Sequence, residues 1–251
     1  MNQINKFNRD GYLLIKKGIN KKECQKLIKK TIIPILHSKG IYLTKHDTWN
    51  NDGELLYGNN YGHIIDKNDK YFKFKSLFNS KKLNNILNLF HSRRKYSKIN
   101  KWDYKYLAKE GLGWIHLRYP FIKYINNTVK YSINNFHLDG LINNEIDYKQ
   151  SVIILPFITT VKKNQGGTVV LPGSHKIINE HILRYNYKTN KNIFDTINKK
   201  ILDNENKVID ITGEQGDILI MHPHLIHSSS YADINSNVRI TFNLSTEITK
   251  Y

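Results

Sequence analysis

His137 and Asp139, one residue apart, His227 far downstream and Arg239 a short way beyond it carry side chains from which a metal centre can be assembled. Two imidazoles and one carboxylate are the protein half of a facial iron(II) site, which leaves the opposite face of the metal open for a cosubstrate and dioxygen. An arginine beyond the second histidine adds a rigid fork of donors that can hold one end of a dicarboxylate while the other end chelates the metal. In a strand, residues two apart project to the same side. Phe136-His137-Leu138-Asp139 therefore aims imidazole and carboxylate at one point and turns Phe136 and Leu138 away from it. An H-x-D tripeptide alone is most often chance or a surface pair, so its weight here comes from the second half of the set.

That second half is also strand-like. Gly216-Asp217 reads as a turn opening the apolar run Ile218-Leu219-Ile220-Met221, the stretch from His222 to Ser229 follows, and Asn235-Ser236-Asn237 marks another turn. Val238-Arg239-Ile240-Thr241-Phe242 then alternates, with Arg239 and Thr241 on one face. A buried strand carries an arginine only where something anionic meets it, whether a bound acid or a structural carboxylate of the chain. His222, His224 and His227 all lie in this stretch, and spacing alone leaves open which of them is the ligand.

Four segments carry a family resemblance. Phe7-Asn8-Arg9-Asp10-Gly11-Tyr12-Leu13-Leu14-Ile15 resembles the N-terminal opening of the phytanoyl-CoA dioxygenase family, whose members are iron(II)- and 2-oxoglutarate-dependent oxygenases. His137-Leu138-Asp139-Gly140 resembles its proximal metal motif, and Gly166-Gly167-Thr168-Val169-Val170-Leu171-Pro172-Gly173-Ser174-His175 its strand-to-turn signature. The stretch from Gly216 to Ser229 resembles its distal-histidine strand. The four run in the family's order across nearly the whole chain. The resemblance implies that His227, which ends its strand, is the distal ligand, with one of His222 and His224 packing beneath the site and the other facing outward, although His224 can still be placed to reach substrate. It implies further that Arg239 grips the distal carboxylate of 2-oxoglutarate with Ser229 as its hydroxyl partner, that iron(II) sits on His137, Asp139 and His227, and that dioxygen is the oxidant. Thr241 joins the cosubstrate set from strand alternation alone. Family members that halogenate have a small residue where this chain has Asp139, so the carboxylate implies hydroxylation of an unactivated C–H bond, with release of succinate and carbon dioxide.

The elements that must position these residues follow from periodicity. Asn20 with Glu23 resembles a capping box, and Cys24, Leu27, Ile28, Ile32 and Ile35 repeat at helical spacing, which predicts a helix over about 21–37. Leu83, Ile86, Leu87 and Phe90 predict a second amphipathic helix. The intervening stretch 40–74, with Trp49, Tyr57, Tyr61 and His63, is expected to form strands and a loop near the site mouth. From residue 111 the pattern is that of strands: Trp114-Ile115-His116-Leu117-Arg118-Tyr119 alternates, while Ser151 to Leu155 and Thr168 to Leu171 are buried-type runs. The fold class is mainly β with flanking helices, and the resemblance implies a double-stranded β-helix, a cupin-like jelly roll holding the metal between its sheets. One domain over 1–251 is expected, with an N-terminal helical part (about 1–110), a β-helix core (about 111–251) and a lid over 176–206, where Ile193, Ile197 and Ile201 step at helical spacing. Arg118, on the strand before the proximal motif and on the face of Trp114 and His116, can anchor a second cosubstrate carboxylate or an acidic substrate, or form a salt bridge. Tyr119, Lys123 and Gln150 are weaker candidates on position alone.

Composition sets limits. The single Cys24 excludes an intramolecular disulfide and fits a reducing compartment, and neither a signal peptide nor an apolar run of the ~20 residues that span a bilayer is evident, so a soluble, cytoplasmic protein is expected. The formal net charge is +18, carried mostly by lysine in a chain also rich in Asn and Ile, a bias that A/T-rich coding produces without selection for a polyanion. Arg93-Arg94-Lys95-Tyr96-Ser97-Lys98 through Trp102, Tyr104, Lys105 and Tyr106 interleaves cations with aromatics as nucleic-acid surfaces do, but a solvated face is the favoured reading. The expected partner is a small organic molecule, with the overall field favouring an anionic one. Two other classes compete: a non-enzymatic basic protein binding nucleic acid or another polyanion on the same scaffold, which needs no intact His-Asp-His set, and a cupin-like metalloenzyme without 2-oxoglutarate, which needs no Arg239.

Overall fold

The computed structural model describes residues 3–49, 81–83, 85–86, 113–120, 131, 135–139, 141–142, 145–146, 150–185, 198–199, 203–204 and 207–247. After helix α1 (Gln3–Asp10) and strand β1 (Tyr12–Ile15) come α2 (Lys21–Leu27) and α3 (Ile33–Ser38). The strands that follow are β2 (Gly113–Arg118), β3 (Leu141–Ile142), β4 (Glu145–Ile146), β5 (Gln150–Pro156) and β6 (Thr168–Val170). Helix α4 (Ser174–Tyr185) precedes β7 (Ile209–Asp210), β8 (Ile218–Met221), β9 (His227–Ser229) and β10 (Arg239–Glu247). A five-stranded sheet runs β1-β8-β5-β10-β2, a smaller one runs β7-β6-β9, and β3 pairs with β4; every pairing is antiparallel. His137 extends the small sheet by bridging to His227.

Alternation sorts the faces of the large sheet. Leu13 and Ile15, Ile154, Ile218 and Ile220, Ile115 and Leu117, and Ile240 and Phe242 face the helices, where Cys24, Leu27, Ile32 and Leu36 cover them. The opposite face carries Ile153, Leu155, Leu219 and Met221, which pack with Val170 of β6 and Leu225 in a core between the two sheets. On the far side of the small sheet, Phe136, Leu138, Val169, Leu171 and Ile226 pack with Ile178 of α4. Each fully buried aliphatic side chain of these layers contributes about 1.5–3 kcal/mol.

The predicted helix over 21–37 is present but interrupted. Asn20 caps it, its side chain accepting from the Lys22 amide at 2.9 Å. Between α2 and α3 the residues Ile28–Ile32 form a π turn in which the Ile33 amide donates to the Ile28 carbonyl. Pro34 explains the widening: it has no amide to give and its ring crowds the carbonyl one turn back. The extra residue advances the apolar stripe, so Leu36 rather than Ile35 is fully buried. Residues 81–83 and 85–86 are helical, with Leu83 and Ile86 buried as expected, whereas Leu87 and Phe90 lie outside the described residues.

Three further expectations change. The N-terminal part is not only helical, because β1 forms an edge of the large sheet. Trp49, expected near the site mouth, stacks on Tyr119 with ring centroids 5.1 Å apart, on the helix side of that sheet. Of segment 176–206, the part up to Tyr185 belongs to α4, which packs behind the small sheet through Ile178. Tyr57, Tyr61, His63, Ile193, Ile197, Ile201, Lys123 and the cation–aromatic stretch from Arg93 to Tyr106 lie outside the described residues. Among the described residues, no helix is long and apolar enough to cross a membrane.

The turn before β8 is held by one carboxylate. Asp217, 1% exposed, accepts from Lys16 Nζ (2.9 Å), the Lys17 amide (2.8 Å) and the Glu214 amide (2.9 Å). Gly216 has φ +91°, and a Cβ there would press on the Ile19 carbonyl. Burial alone would raise the Asp217 pKa, but the two amides and the Lys16 ammonium together hold it below its ordinary value. A depressed folded-state pKa means that this stabilisation is present above the ordinary aspartate value of ~3.9 and is lost as pH falls through the folded value. Asp217→Asn should cost ~2–4 kcal/mol and lower Tm by roughly 5–10 °C at neutral pH, with the gap to wild type closing in acid. Thermal melts across a pH series check this, and a gap that stays constant into strong acid contradicts it.

Candidate functional site

Backbone pairing brings the two histidines together. The His137 amide donates to the His227 carbonyl at 2.9 Å, and the His227 amide donates back to the His137 carbonyl at 3.1 Å. In such a hydrogen-bonded antiparallel pair both side chains leave the sheet on one face. Phe136 and Leu138 turn to the other face, into the cluster beneath α4. The chain leading into β9 is fixed there too, because the Ile226 amide donates to Ser174 Oγ at 2.9 Å.

Each imidazole is oriented by its own strand. His137 Nδ1 lies 2.9 Å from the Asn135 carbonyl and His227 Nδ1 2.8 Å from the Leu225 carbonyl. A carbonyl can only accept, so each Nδ1 carries a proton, and in the neutral form of each ring the lone pair is on Nε2. Both Nε2 atoms face Asp139, at 3.4 Å from Oδ1 and 3.5 Å from Oδ2. Ligands about 2 Å from a shared cation sit about 3–3.5 Å apart, so a single metal ion fits among them. One atom from each of His137, Asp139 and His227 lies within 4.8 Å of the others. Burial opposes the ionised form of Asp139, but the two imidazoles outweigh it and hold the carboxyl far below its usual range. Metal binding requires the carboxylate and the two neutral rings, so a bound ion would take the place of the imidazole protons that face Asp139.

A polar strip adjoins this centre on the inner face of the large sheet. Arg239 lies opposite Arg118 across the β10–β2 pair, and Thr241 lies opposite His116. Arg239 and Thr241 are buried, and Arg239 Nη1 donates to Thr241 Oγ1 at 3.0 Å. Ser229, expected as the hydroxyl that joins Arg239 on the cosubstrate, accepts from Arg118 Nη2 at 3.2 Å, because β9 faces β2 across the space between the sheets. Two residues separate Ser229 from His227, so this bond ties the arginine strip to the strand bearing a candidate metal ligand. Gly166 makes room for Arg118: it has φ +68°, and a Cβ there would lie 2.9 Å from Arg118 Cβ.

Like charges opposed across a strand pair repel. Burial and the charge of Arg118 push the Arg239 pKa down, only partly opposed by Asp210. Among the described residues no carboxylate forms a salt bridge with Arg239.

The other candidates sit elsewhere. His224 is buried, with Nδ1 2.6 Å from Asn179 Oδ1 on α4, while His222 lies near His175, their ring centroids 5.0 Å apart. Tyr119 stacks on Trp49, and its hydroxyl is pushed by burial to a pKa of about 12. The side chain of Gln150 is not described. His116 shares the face of Arg118 by strand alternation, a signal that gives it no role; its contact with Arg239 joins two distant strands and has no counterpart in the local pattern.

Residues 7–233 match the profile of the family described as Phytanoyl-CoA dioxygenase (PhyH). A sequence comparison with curated proteins finds no match. Several solved structures share the fold at low identity. The non-heme alpha-ketoglutarate-dependent carbocyclase SnoK from nogalamycin biosynthesis is 12% identical with a TM-score of 0.53, covering 98% of this chain and 82% of its own. HygX from Streptomyces hygroscopicus, with nickel and 2-oxoglutarate bound, is 12% identical with a TM-score of 0.56, covering 98% and 86%. HygX with nickel, 2-oxoglutarate and hygromycin B superposes with a TM-score of 0.52 at 11% identity, again covering 98% and 86%.

His137→Ala, Asp139→Ala and His227→Ala should each weaken nickel(II) or iron(II) binding by more than the ~10–100-fold typical of outer-shell changes, with the fold retained. His222→Ala and His224→Ala should bind metal as wild type does. Calorimetric titration under anaerobic conditions decides, and loss of binding in His224→Ala with retention in His227→Ala would reverse the ligand assignment.

Proposed function

The chain belongs to the phytanoyl-CoA dioxygenase family, and on that footing we propose that it is an iron(II)- and 2-oxoglutarate-dependent dioxygenase that hydroxylates an unactivated C–H bond of a small organic substrate. The observation that carries this reading is the shared space between the sheets. A three-ligand centre at His137, Asp139 and His227 stands beside a buried arginine strip, joined to it through Ser229 and Arg118.

The strand order supports a double-stranded β-helix. From β2 onward the chain visits the large sheet, the small sheet at His137, the large sheet at β5, the small one at β6 and β7, the large one at β8, the small one at β9 and the large one at β10. That alternation wraps two sheets around one interior. HygX with 2-oxoglutarate and hygromycin B bound supports a small-molecule substrate, and the net charge of +18 favours an anionic one. The single, buried Cys24 fits work in a reducing compartment such as the cytoplasm.

In this reading His137 Nε2, His227 Nε2 and an Asp139 oxygen hold iron(II). Bound iron(II), 2-oxoglutarate and dioxygen supply the oxidising power to insert one oxygen atom into a C–H bond, while 2-oxoglutarate becomes succinate and carbon dioxide. The chain's own residues position the reactants. Arg239, steadied by Thr241, anchors the distal carboxylate, and Arg118 with Ser229 adds positive charge on the side nearer the metal ligands. The apolar residues of β5 and β8 wall off the space from water. Asp139 fills the position that a halide needs in halogenating relatives, which favours hydroxylation.

Arg239→Ala should leave metal affinity intact but raise the 2-oxoglutarate requirement by at least ~100-fold, since a charge-assisted contact in a closed site contributes about 3 kcal/mol. Arg239→Lys should recover little, because an ammonium does not reproduce the fork. Succinate release measured against 2-oxoglutarate concentration tests both, and an unchanged requirement in Arg239→Ala would remove the cosubstrate assignment.

A further inference from the structure

His116 holds a buried donor that the polar strip, among the described residues, leaves without an acceptor. It lies on β2 opposite Thr241 and two residues before Arg118, so its ring enters the same inter-sheet space as both arginines. Its Nδ1 is 3.5 Å from Arg239 Nη2. A guanidinium only donates, so Nδ1 keeps its lone pair and the neutral ring carries its proton on Nε2. Burial and the adjacent Arg239 and Arg118 hold the His116 pKa well below its ordinary value, with Asp139 opposing them, so the ring stays neutral and serves as a fixed donor rather than a proton carrier. Among the described residues, His116 Nε2 has no hydrogen-bond partner, and neither does Arg239 Nε.

Two buried N–H groups in one polar strip, neither with an acceptor among the described residues, are costly, and native chains seldom keep such groups without a purpose. The acceptor that satisfies both needs two oxygens and, facing two guanidiniums, a negative charge. A carboxylate meets both conditions. We propose that His116 is a cosubstrate-binding residue whose Nε2–H donates to the distal carboxylate of 2-oxoglutarate alongside Arg239, which makes it a determinant of selectivity for a 2-oxo acid with two carboxylates. The role rests on the reading of Arg239 as the anchor. It differs from that of Thr241, which steadies the arginine, because His116 touches the ligand itself.

The test uses the full-length protein loaded with nickel(II), so that binding is read without turnover. Calorimetric titrations with 2-oxoglutarate and with 2-oxobutyrate, which lacks the distal carboxylate, are compared for wild type, Arg239→Ala, His116→Phe, His116→Leu and His116→Gln. His116→Phe and His116→Leu should weaken 2-oxoglutarate about 10- to 100-fold while binding 2-oxobutyrate within about twofold of wild type. His116→Gln, which retains an N–H donor, should recover most of the loss. Nickel affinity and melting temperature of the loaded variants confirm that site and fold are intact, and the two apolar replacements guard against one of them packing badly. Wild-type affinity for 2-oxoglutarate in both apolar variants, with Arg239→Ala impaired, overturns the proposal and leaves the anchor standing. An equal loss for both acids overturns it too, because the effect would then lie at the metal end. Unimpaired binding in Arg239→Ala removes the anchor and the proposal together.

Discussion

Two backbone hydrogen bonds between His137 and His227 set the geometry on which the site depends. Side chains are long and have several rotamers, but paired amides fix the distance between two Cα atoms and the direction in which their side chains leave the sheet. Each ring then needs only one further constraint, which its Nδ1 takes from a carbonyl two residues back along its own strand. The packing behind the pair makes this stable. Phe136, Leu138 and Ile226 are the outward-facing neighbours of the two histidines, and Ile178 of α4 closes over them. A single alternating pattern thus serves the core on one side and the chemistry on the other.

The same division runs across the large sheet. Its inner face is apolar on β5 and β8 and polar on β10 and β2, where Arg239, Thr241, His116 and Arg118 project. On the helix side all of these strands are apolar. The polar strip therefore draws its rigidity from the rows of Ile, Leu and Phe that alternate with it. It gives up some stability within the chain, because opposed cations and donors without acceptors are unfavourable there. Local rules broken at one place while the surrounding fold obeys them are characteristic of sites built for a ligand.

Much of this was legible in the sequence because half-buried strands display a period of two. Alternation in Val238–Phe242 and in Trp114–Tyr119 puts Arg239 with Thr241 and His116 with Arg118, and the turn at Gly216-Asp217 opens β8 as expected. Other features depend on which strands become neighbours, which no local pattern states. Ser229 meets Arg118 only through the facing of β9 and β2, and the Arg118–Arg239 opposition exists only once β2 and β10 pair. Spacing also left three histidines open near residue 227, and only the family resemblance separated them. The π turn at Ile28–Ile32 had a visible cause in Pro34, but helical periodicity alone passes over a one-residue advance and selects Ile35 where Leu36 is buried.

The His137–His227 bridge also makes assembly of the centre a test of strand register. A slip of one residue between these segments would send one imidazole to the face of Phe136 and Leu138, and a slip of two would carry it about 7 Å along the strand, beyond the reach of a shared ion. No rotamer change compensates for either error. A chain paired in the wrong register would leave the two imidazoles apart, so the cluster of His137, Asp139 and His227 exists only in the correctly paired molecule.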